Sequence, residues 1–365
     1  MQHRFFRTAA AVVAAVLLCT GFAQAANFEG AVSARSAILL DAQSGRVLFE
    51  KNADERRLLA STTKIMTGLL VCQTQDLTRE VCVPAEAAGV EGSSLYLKAG
   101  QRVTIETLLY GLLLRSGNDA AVALAIAASG SVEAFCARMN EQARALGMQN
   151  THFENPNGLD GDGQFSTARD LAKLAATAME NETFRTVVSS RSYCAEGWSF
   201  TNHNKLLWRV EGCDGVKTGY TKKAGRILVG SAVRDGRRLI CVTMNDPDDW
   251  RDQSALFDYG FSAFRLQSVV RSGEAVGSAA VVGSETKRVR LLAGGDLSYP
   301  LAEGEKIETV LHAPDFVYAP VLPGQAGWLE ILVNGKRVGE VPVYYEAGAE
   351  AEMPKRGLWK RIFGG

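Results

Sequence analysis

This chain of 365 residues has few histidines and no net charge. It contains four histidines, and its 40 lysines and arginines balance its 40 aspartates and glutamates. The zero net charge gives no reason to expect a nucleic-acid partner. No cysteine or histidine pair has the spacing typical of zinc ligands, so we expect no metal and no other cofactor. With so few histidines, a Ser-His-Asp triad also has few candidates.

The apolar run near the N-terminus is too short to predict a permanent membrane span. Arg4 and Arg7 precede it, and Ala23-Gln-Ala25 offers the small residues of a cleavage site. These features predict a secretory signal peptide over residues 1–25. We therefore expect an exported protein at the outer face of the cytoplasmic membrane, in the periplasm or in the cell wall.

Six cysteines follow the predicted signal peptide, and an even number in an exported chain permits disulfides. Cys72 and Cys82 are close enough in sequence to form a bridge. Buried free thiols are equally compatible with a domain that is large enough to build a core without cross-links.

Three short motifs lie far apart along the chain: Ser61-Thr-Thr-Lys64, Ser116-Gly-Asn118 and Lys217-Thr-Gly219. Each alone is common, as a helix cap with a solvated lysine, a turn and a strand entry respectively. Together they supply a nucleophile, a neighbouring base, a second hydroxyl with an amide, and a cation. An acyl-transfer enzyme that uses serine without histidine needs these parts.

Ser61 and Lys64 would share one face of a helix, because side chains three residues apart lie one turn apart. The largely apolar run that follows them predicts a buried helix with Ser61 at its N-terminus. Unpaired N–H groups at that end favour the negative charge of an attacking oxygen. Lys64 can take the serine proton only if its pKa falls, through burial or through a second cation such as Lys217.

The other two motifs predict groups that handle the proton and the substrate. Ser116 can pass a proton to a leaving group, and the Asn118 amide can hold both a substrate amide and Lys64. Lys217-Thr-Gly219 is typical of the start of an edge strand, which offers free N–H and C=O groups to an extended peptide. Gly219 lets that peptide approach closely.

On these residues the chain is similar to the serine-type D-alanyl-D-alanine carboxypeptidases, the low-molecular-mass penicillin-binding proteins. The likeness covers roughly residues 34–262 and continues more weakly beyond them. It includes longer segments around the motifs and before them, namely Ala37–Arg46, Leu59–Thr67, Leu112–Ala121, Phe153–Leu159 and Asp214–Thr221.

The resemblance implies an α+β fold with a β-lactamase/transpeptidase-like domain, in which helices flank a central antiparallel sheet. It implies a covalent acyl-enzyme at Ser61. The implied substrates are peptidoglycan stem peptides ending in D-Ala-D-Ala, and the implied inhibitors are β-lactam antibiotics.

The resemblance also implies a role for each motif residue. Ser61 would be the nucleophile and Lys64 the acylation base. Ser116 and Lys217 would relay the proton, while Asn118 would orient the lysine and the substrate.

For substrate binding, the resemblance implies that Thr218 receives the terminal carboxylate beside Lys217. The backbone N–H groups of Ser61 and Tyr220 would form the oxyanion hole. Some family members have an arginine between two asparagines where this chain reads Asn202-His203-Asn204. Arg251 is a candidate second contact with the carboxylate, and a surface position is its alternative.

The periodicity predicts a first domain over residues 26–264. It would begin with a hairpin of Ala37–Asp41 and Arg46–Lys51, and a helix over 250–264 would close it. Four further helices are predicted at about 104–114, 118–129, 131–146 and 166–180. The Asp235-Gly236 step predicts a hairpin between two apolar runs that follow Lys217.

Short β-rich runs predict an all-β domain over residues 265–347, with an Asn334-Gly335 hairpin turn. Its role is open between a stalk or interaction module and simple structural support. The segment 348–365 is basic, and as a helix it would gather four large apolar side chains on one face. This pattern predicts peripheral membrane contact, with a disordered basic tail as the alternative.

Two other functions fit part of the pattern. A serine β-lactamase of the best-known class needs an added glutamate that activates water, but no Glu-x-x-Leu-Asn segment lies between Ser116 and Lys217. The all-β domain is also foreign to such a compact hydrolase. A catalytically silent penicillin-binding wall module would most simply lack one motif member, and none is missing.

Overall fold

The structure is a computed structural model that describes Phe28 and residues 30–346. The predicted signal peptide and the segment 348–365 lie outside these residues. Within them, an α+β domain runs to Ala263 and a β domain begins at Phe264. We use these two names below.

Nine strands belong to the α+β domain: β1 (Ser36–Asp41), β2 (Val47–Lys51), β3 (Glu80–Cys82), β4 (Arg102–Thr104), β5 (Ser192–Ala195), β6 (Trp198–Thr201), β7 (Cys213–Thr221), β8 (Gly225–Arg234) and β9 (Arg237–Met244). Five of them form an antiparallel sheet in the order β2-β1-β9-β8-β7. β8 and β9 are apolar on both faces and occupy inner positions, as continuous apolar runs predict. β7 is left at one edge of the sheet.

Eight helices surround this sheet: α1 (Lys64–Thr74), α2 (Ile105–Leu114), α3 (Asn118–Ser129), α4 (Val132–Ala145), α5 (Ala168–Glu180), α6 (Glu182–Ser189), α7 (Leu206–Arg209) and α8 (Asp249–Ala263). Several begin at a side-chain cap; the hydroxyl of Thr167, for example, accepts a hydrogen bond from the Asp170 N–H. The four helices predicted between 104 and 180 and the closing helix are confirmed within one or two residues.

The two faces of the sheet bury separate apolar layers. The larger layer joins α1, α2, α3 and α5 to residues such as Ile38 and Val229, which are fully buried. The smaller layer packs α8, through Leu256 and Phe257, against the opposite face. Helices on both faces confirm the predicted architecture.

The β domain is built from β10 (Phe264–Val270), β11 (Ala275–Val282), β12 (Arg288–Ala293), β13 (Leu297–Ala302), β14 (Ile307–His312), β15 (Phe316–Tyr318), β16 (Gln325–Val333) and β17 (Lys336–Tyr345). Six of its strands form a sheet in the order β14-β16-β17-β12-β11-β15, and β10 pairs with β13. The predicted turn at Asn334-Gly335 joins β16 to β17, with both residues at positive φ. The all-β prediction is confirmed.

Arg46 joins the two domains. Its guanidinium lies 2.6 Å from the Glu305 carboxylate and donates to the Pro300 carbonyl at 2.5 Å. It also stacks over the rings of Phe264 and Tyr299. Because Arg46 immediately precedes β2, the β domain contacts the sheet at the edge opposite to β7.

Two sequence-based expectations need correction. Lys217-Thr-Gly219 does not start a strand, because β7 begins at Cys213. Ser61 lies in a 3₁₀ turn, Ala60–Thr63, and the α-helix begins only at Lys64. The short elements β3, β4, α6, α7 and the β5–β6 hairpin were not predicted from the sequence.

Candidate active site

Ser61 stands where the 3₁₀ turn meets the middle of β7. The preceding residue, Ala60, has a φ of 45°. A Cβ atom on Gly219 would lie 3.3 Å from the Ser61 nitrogen, so the glycine lets β7 approach the serine closely. The three predicted motifs therefore meet at this edge strand.

Lys64 is fully buried and makes three hydrogen bonds through its amine. Nζ lies 3.0 Å from Ser61 Oγ and 2.7 Å from Asn118 Oδ1. It also lies 2.5 Å from the carbonyl oxygen of Asn157. The Asn118 and Asn157 oxygens hold the amine against the serine hydroxyl, as required for proton transfer.

Burial changes the protonation of both lysines. It lowers the pKa of Lys64 well below the usual value of 10.5, and the nearby Lys217 lowers it further while Asp119 opposes the shift. Burial alone lowers the pKa of Lys217 to about 7. A lysine with a lowered pKa can act as a base near neutral pH. The second-cation effect expected from the sequence is therefore present.

Ser116 is held in a strained backbone conformation, with a φ of 64°. Its side chain is buried, and its Oγ has no hydrogen-bond partner among the described residues. The residue lines the same cleft as Ser61. A strained, buried and unpaired hydroxyl at a cleft is a candidate for contact with the substrate.

Asn118 begins α3 and links two sides of the site. Its Oδ1 accepts from Lys64, and its Nδ2 donates to the Glu91 carbonyl at 2.6 Å. The next residue, Asp119, accepts from the backbone N–H groups of Leu95 and Leu97 at 2.9 and 3.1 Å. Asp119 thereby holds the loop beside the cleft, and the sequence analysis did not identify it.

Asn157 was also missed as a site residue, because it acts through a backbone carbonyl. Its loop packs directly on the turn that holds the serine. Gly158 has a φ of 86°, and a Cβ atom there would lie 1.8 Å from the Ala60 carbonyl oxygen. Only glycine fits this contact, which positions the neighbouring Asn157 carbonyl over Lys64.

A cleft of about 570 Å³ opens along β7 and contains most of the predicted residues. It is lined by Ser61, Ser93, Ser116, His203, Thr218, Gly219, Tyr220, Arg226, Asp249 and Trp250. Lys64 and Lys217 lie buried beneath it. Because β7 is an edge strand, its outer side is free to pair with an extended ligand.

His203 lines the cleft, in the segment where the resemblance implies an arginine in some proteins of that type. Burial, together with Lys217 and Arg115, lowers its pKa to about 4. The imidazole is therefore neutral near neutral pH and does not supply the positive charge of an arginine.

Arg251 does not join the cleft. Its side chain is 61% exposed, and its guanidinium pairs with Asp248 at 2.9 Å and with Asp252 at 2.8 Å. Among the described residues that line the cleft, the cation is Arg226 instead. The surface position that the sequence left as the alternative for Arg251 fits these contacts.

Three other features bear on the sequence-based expectations. The six cysteines of the described region, including Cys72 and Cys82, are free thiols. Within residues 30–346, no group of three or more His, Cys, Asp or Glu side chains could hold a metal ion. No single helix of that region is long and apolar enough to cross a membrane, and α3 and α4 meet that criterion only as a pair bent by 85°.

Comparison with known proteins identifies the family. A family model described as D-alanyl-D-alanine carboxypeptidase matches residues 22–248, and one described as the C-terminal domain of penicillin-binding protein 5 matches residues 264–350. The D-alanyl-D-alanine carboxypeptidase DacF of Bacillus subtilis is 33% identical over 348 residues, which cover 90% of this chain and 88% of the relative. DacA of Escherichia coli is 33% identical over 358 residues and covers 89% of both chains.

Solved structures agree with this similarity. Penicillin-binding protein 5 from Haemophilus influenzae superposes with a TM-score of 0.76 at 29% identity, covering 87% of this chain and 97% of that chain. The resemblance inferred from the three motifs is confirmed. The chain belongs to the D-alanyl-D-alanine carboxypeptidase family and is a serine-type D-Ala-D-Ala carboxypeptidase of the low-molecular-mass penicillin-binding type.

Proposed function

We propose that Ser61 attacks the carbonyl carbon of the penultimate D-alanine of a peptidoglycan stem peptide. The observation that carries this proposal is the 3.0 Å hydrogen bond between Lys64 Nζ and Ser61 Oγ. Neutral Lys64 takes the Oγ proton while the Oγ–C bond forms. The resulting oxyanion accepts hydrogen bonds from the N–H groups of Ser61 and Tyr220, each worth about 10²–10³ in rate.

Collapse of this intermediate breaks the C–N bond and releases D-alanine. The leaving nitrogen needs one proton, which Lys64 returns through the hydroxyl of Ser116. The unpaired Ser116 Oγ supports this role, because a relay hydroxyl must be able to donate toward the substrate. Water then attacks the ester, restoring Ser61 and releasing the shortened stem peptide.

Asn118 and Lys217 hold the reacting groups in place. Asn118 orients Lys64 through the 2.7 Å hydrogen bond and can accept a substrate amide at the same time. Lys217, when charged, attracts the terminal carboxylate and stabilises the proton relay. Thr218 and Gly219 line the cleft and supply the hydroxyl and the open edge that an extended peptide needs.

The same steps explain penicillin binding. Penicillin-binding proteins react with β-lactams because these inhibitors resemble D-Ala-D-Ala: a strained amide carbonyl takes the place of the scissile peptide bond, and a carboxylate takes the place of the C-terminus. After acylation the leaving nitrogen stays attached to the inhibitor, so the ester is hydrolysed slowly. We propose that β-lactams acylate Ser61.

We propose a cellular location from the family and from two segments of the sequence. Family members are periplasmic or associated with the cell wall. We propose export through residues 1–25 and peripheral membrane contact through the basic residues and apolar side chains of 348–365. Sedimentation of the full chain with anionic lipid vesicles, compared with a chain that ends at Glu346, tests the contact. Equal binding of the two chains would refute it.

Three assays on one preparation test the activity. Fluorescent penicillin should label the chain. A peptide ending in D-Ala-D-Ala should lose its terminal D-alanine, and the chain should hydrolyse a β-lactam much more slowly than it hydrolyses this peptide. Rapid β-lactam turnover would favour a β-lactamase. Labelling without release of D-alanine would favour a silent wall module.

A further inference from the structure

Arg226 is a cleft-lining cation that the mechanism above does not use. Its side chain is 42% exposed, whereas Lys217 is buried beneath the cleft floor. A carboxypeptidase must distinguish a free C-terminal carboxylate from a peptide that continues, and a guanidinium suits that task because it stays charged and has several N–H donors. Arg226 is therefore a candidate for recognising that carboxylate.

The strand register sets Arg226 on the same side of the sheet as Thr218. Arg226 in β8 pairs with Tyr220 in β7, and Tyr220 is two residues from Thr218. Side chains two residues apart point to the same face of a strand, and diagonal cross-strand neighbours are within reach of long side chains. Both Arg226 and Thr218 line the cleft, as these positions require.

Contacts with α8 hold the guanidinium in one orientation. Nε donates to Asp249 Oδ2 at 3.1 Å and Nη2 donates to Asp249 Oδ1 at 2.5 Å. The guanidinium carbon lies 5.7 Å from the centre of the Trp250 ring. Among the described residues no acceptor is bonded to Nη1, so this nitrogen can still donate to a ligand in the cleft.

The ion pair with Asp249 could serve only to attach α8 to β8. The same strand and helix already share such a pair at the far end of β8, where Arg234 contacts Asp258 at 2.9 Å. Arg226 differs from Arg234 because it lines the cleft. It also lines a neighbouring cavity with Arg35 and Lys51, two further cations that favour an anionic ligand here.

We propose that Arg226, rather than Arg251, recognises the free C-terminal carboxylate of the substrate together with Thr218. The carboxylate accepts one hydrogen bond from Arg226 Nη1 and another from the Thr218 hydroxyl. This specificity role rests on the proposed binding of that carboxylate beside Lys217. Asp249 and Trp250 position the guanidinium and do not contact the carboxylate.

The test compares acid and neutral ligands on four variants. We would measure kcat/KM for a diacylated tripeptide ending in D-Ala-D-Ala and for its C-terminal amide. Second-order acylation constants for benzylpenicillin and for its methyl ester provide an independent pair. The variants are Arg226→Gln, Arg226→Lys, Arg251→Gln and the matched ion-pair control Arg234→Gln.

Arg226→Gln should lose about 30-fold or more with the acids, which is ~2 kcal/mol, the lower end of the loss for a truncated charge pair. Its rate constants for the amide and the ester should stay within about threefold of those of the native enzyme, as expected for a surface substitution. Arg226→Lys should keep part of the preference for acids, since it keeps the charge but not the planar fork. Arg234→Gln and Arg251→Gln should change the two ligand classes equally.

Two results would overturn the proposal. An equal loss with acid and neutral ligands in both Arg226 variants would show that the residue only attaches α8 to β8. A selective loss in Arg251→Gln, with Arg226→Gln unaffected, would return the role to Arg251. If Arg226→Gln does not fold, Arg226→Lys provides the test: a reduced preference for acids supports the proposal, and an unchanged preference contradicts it. Failure of Ser61 acylation in the native chain would instead contradict the proposed function.

Discussion

Lys64 Nζ and the Asn157 carbonyl oxygen lie 2.5 Å apart although 93 residues separate them in the chain. The carbonyl is the third hydrogen-bond partner of an amine that also contacts Ser61 and Asn118. An amine held by three partners has little freedom to turn away from its nucleophile. The loop that carries Asn157 is therefore part of the catalytic geometry, and it can be tested through its glycine.

Gly158→Ala should disturb this contact. The added Cβ would lie 1.8 Å from the Ala60 carbonyl oxygen, so the loop or the serine turn must move. We expect a loss of about 3 kcal/mol or more in the free energy of unfolding, together with slower acylation by penicillin. Urea denaturation and stopped-flow acylation measure the two effects.

Gly147→Ala is the matched control, because Gly147 also has positive φ, at 67°, but a Cβ there meets nothing within 4 Å. It should show only the backbone penalty of about 1–2 kcal/mol and native acylation. If Gly158→Ala behaves like this control, the loop does not position Lys64.

Ser116→Gly should separate the effect of backbone strain on stability from the effect of the hydroxyl on acylation. The φ of 64° is unfavourable for serine and favourable for glycine, so the variant should be as stable as the native chain or more stable by about 1 kcal/mol. Acylation should fall because the relay hydroxyl is gone. Ser116→Ala should lose acylation equally without the gain in stability. Native acylation in Ser116→Gly would remove the hydroxyl from the proton path.

Lys217→Met should make the protein more stable but less active. The folded-state pKa of Lys217 is about 7 against an ordinary value of 10.5, so the unfolded chain binds the extra proton between these pH values. The native chain therefore loses stability as pH falls through this window. The variant should gain about 1–4 kcal/mol below pH about 7. The gain should shrink as pH approaches 10.5. Thermal unfolding across pH measures it, and a gain that does not depend on pH would contradict the burial of this charge.

The acylation rate should depend on pH with a maximum. It should rise as Lys64, whose pKa is lowered by burial, loses its proton, and fall as Lys217 loses its charge. Because the two lysines interact, the two apparent pKa values belong to the pair. Second-order acylation constants for benzylpenicillin measure the profile. A rate that still rises toward pH 10.5, the ordinary lysine pKa, would show that neither amine is perturbed.

The sequence predicted the parts of the site that depend on local spacing. Ser61 and Lys64 are three residues apart, so their contact follows from helical geometry. The Asp235-Gly236 and Asn334-Gly335 turns and the longer helices also follow from local patterns. Asn157 could not be predicted in the same way, because any residue can present a backbone carbonyl.

Arg226 and Arg251 show more clearly what local sequence patterns cannot predict. Arg226 lies on β8 and Arg251 on α8, and the sequence pattern favoured Arg251. The choice depends on strand register and on which carboxylates each guanidinium meets, and neither is encoded in local spacing. His203 was likewise visible in the sequence, but its loss of charge depends on burial and on the nearby cations.

The central claim is that Ser61 forms the acyl-enzyme, and intact-protein mass spectrometry after treatment with benzylpenicillin tests it most directly. The native chain should gain the mass of one penicilloyl group, and peptide mapping should locate it on Ser61. Ser61→Ala should gain none while remaining folded by circular dichroism. Stoichiometric labelling of Ser61→Ala would contradict the account.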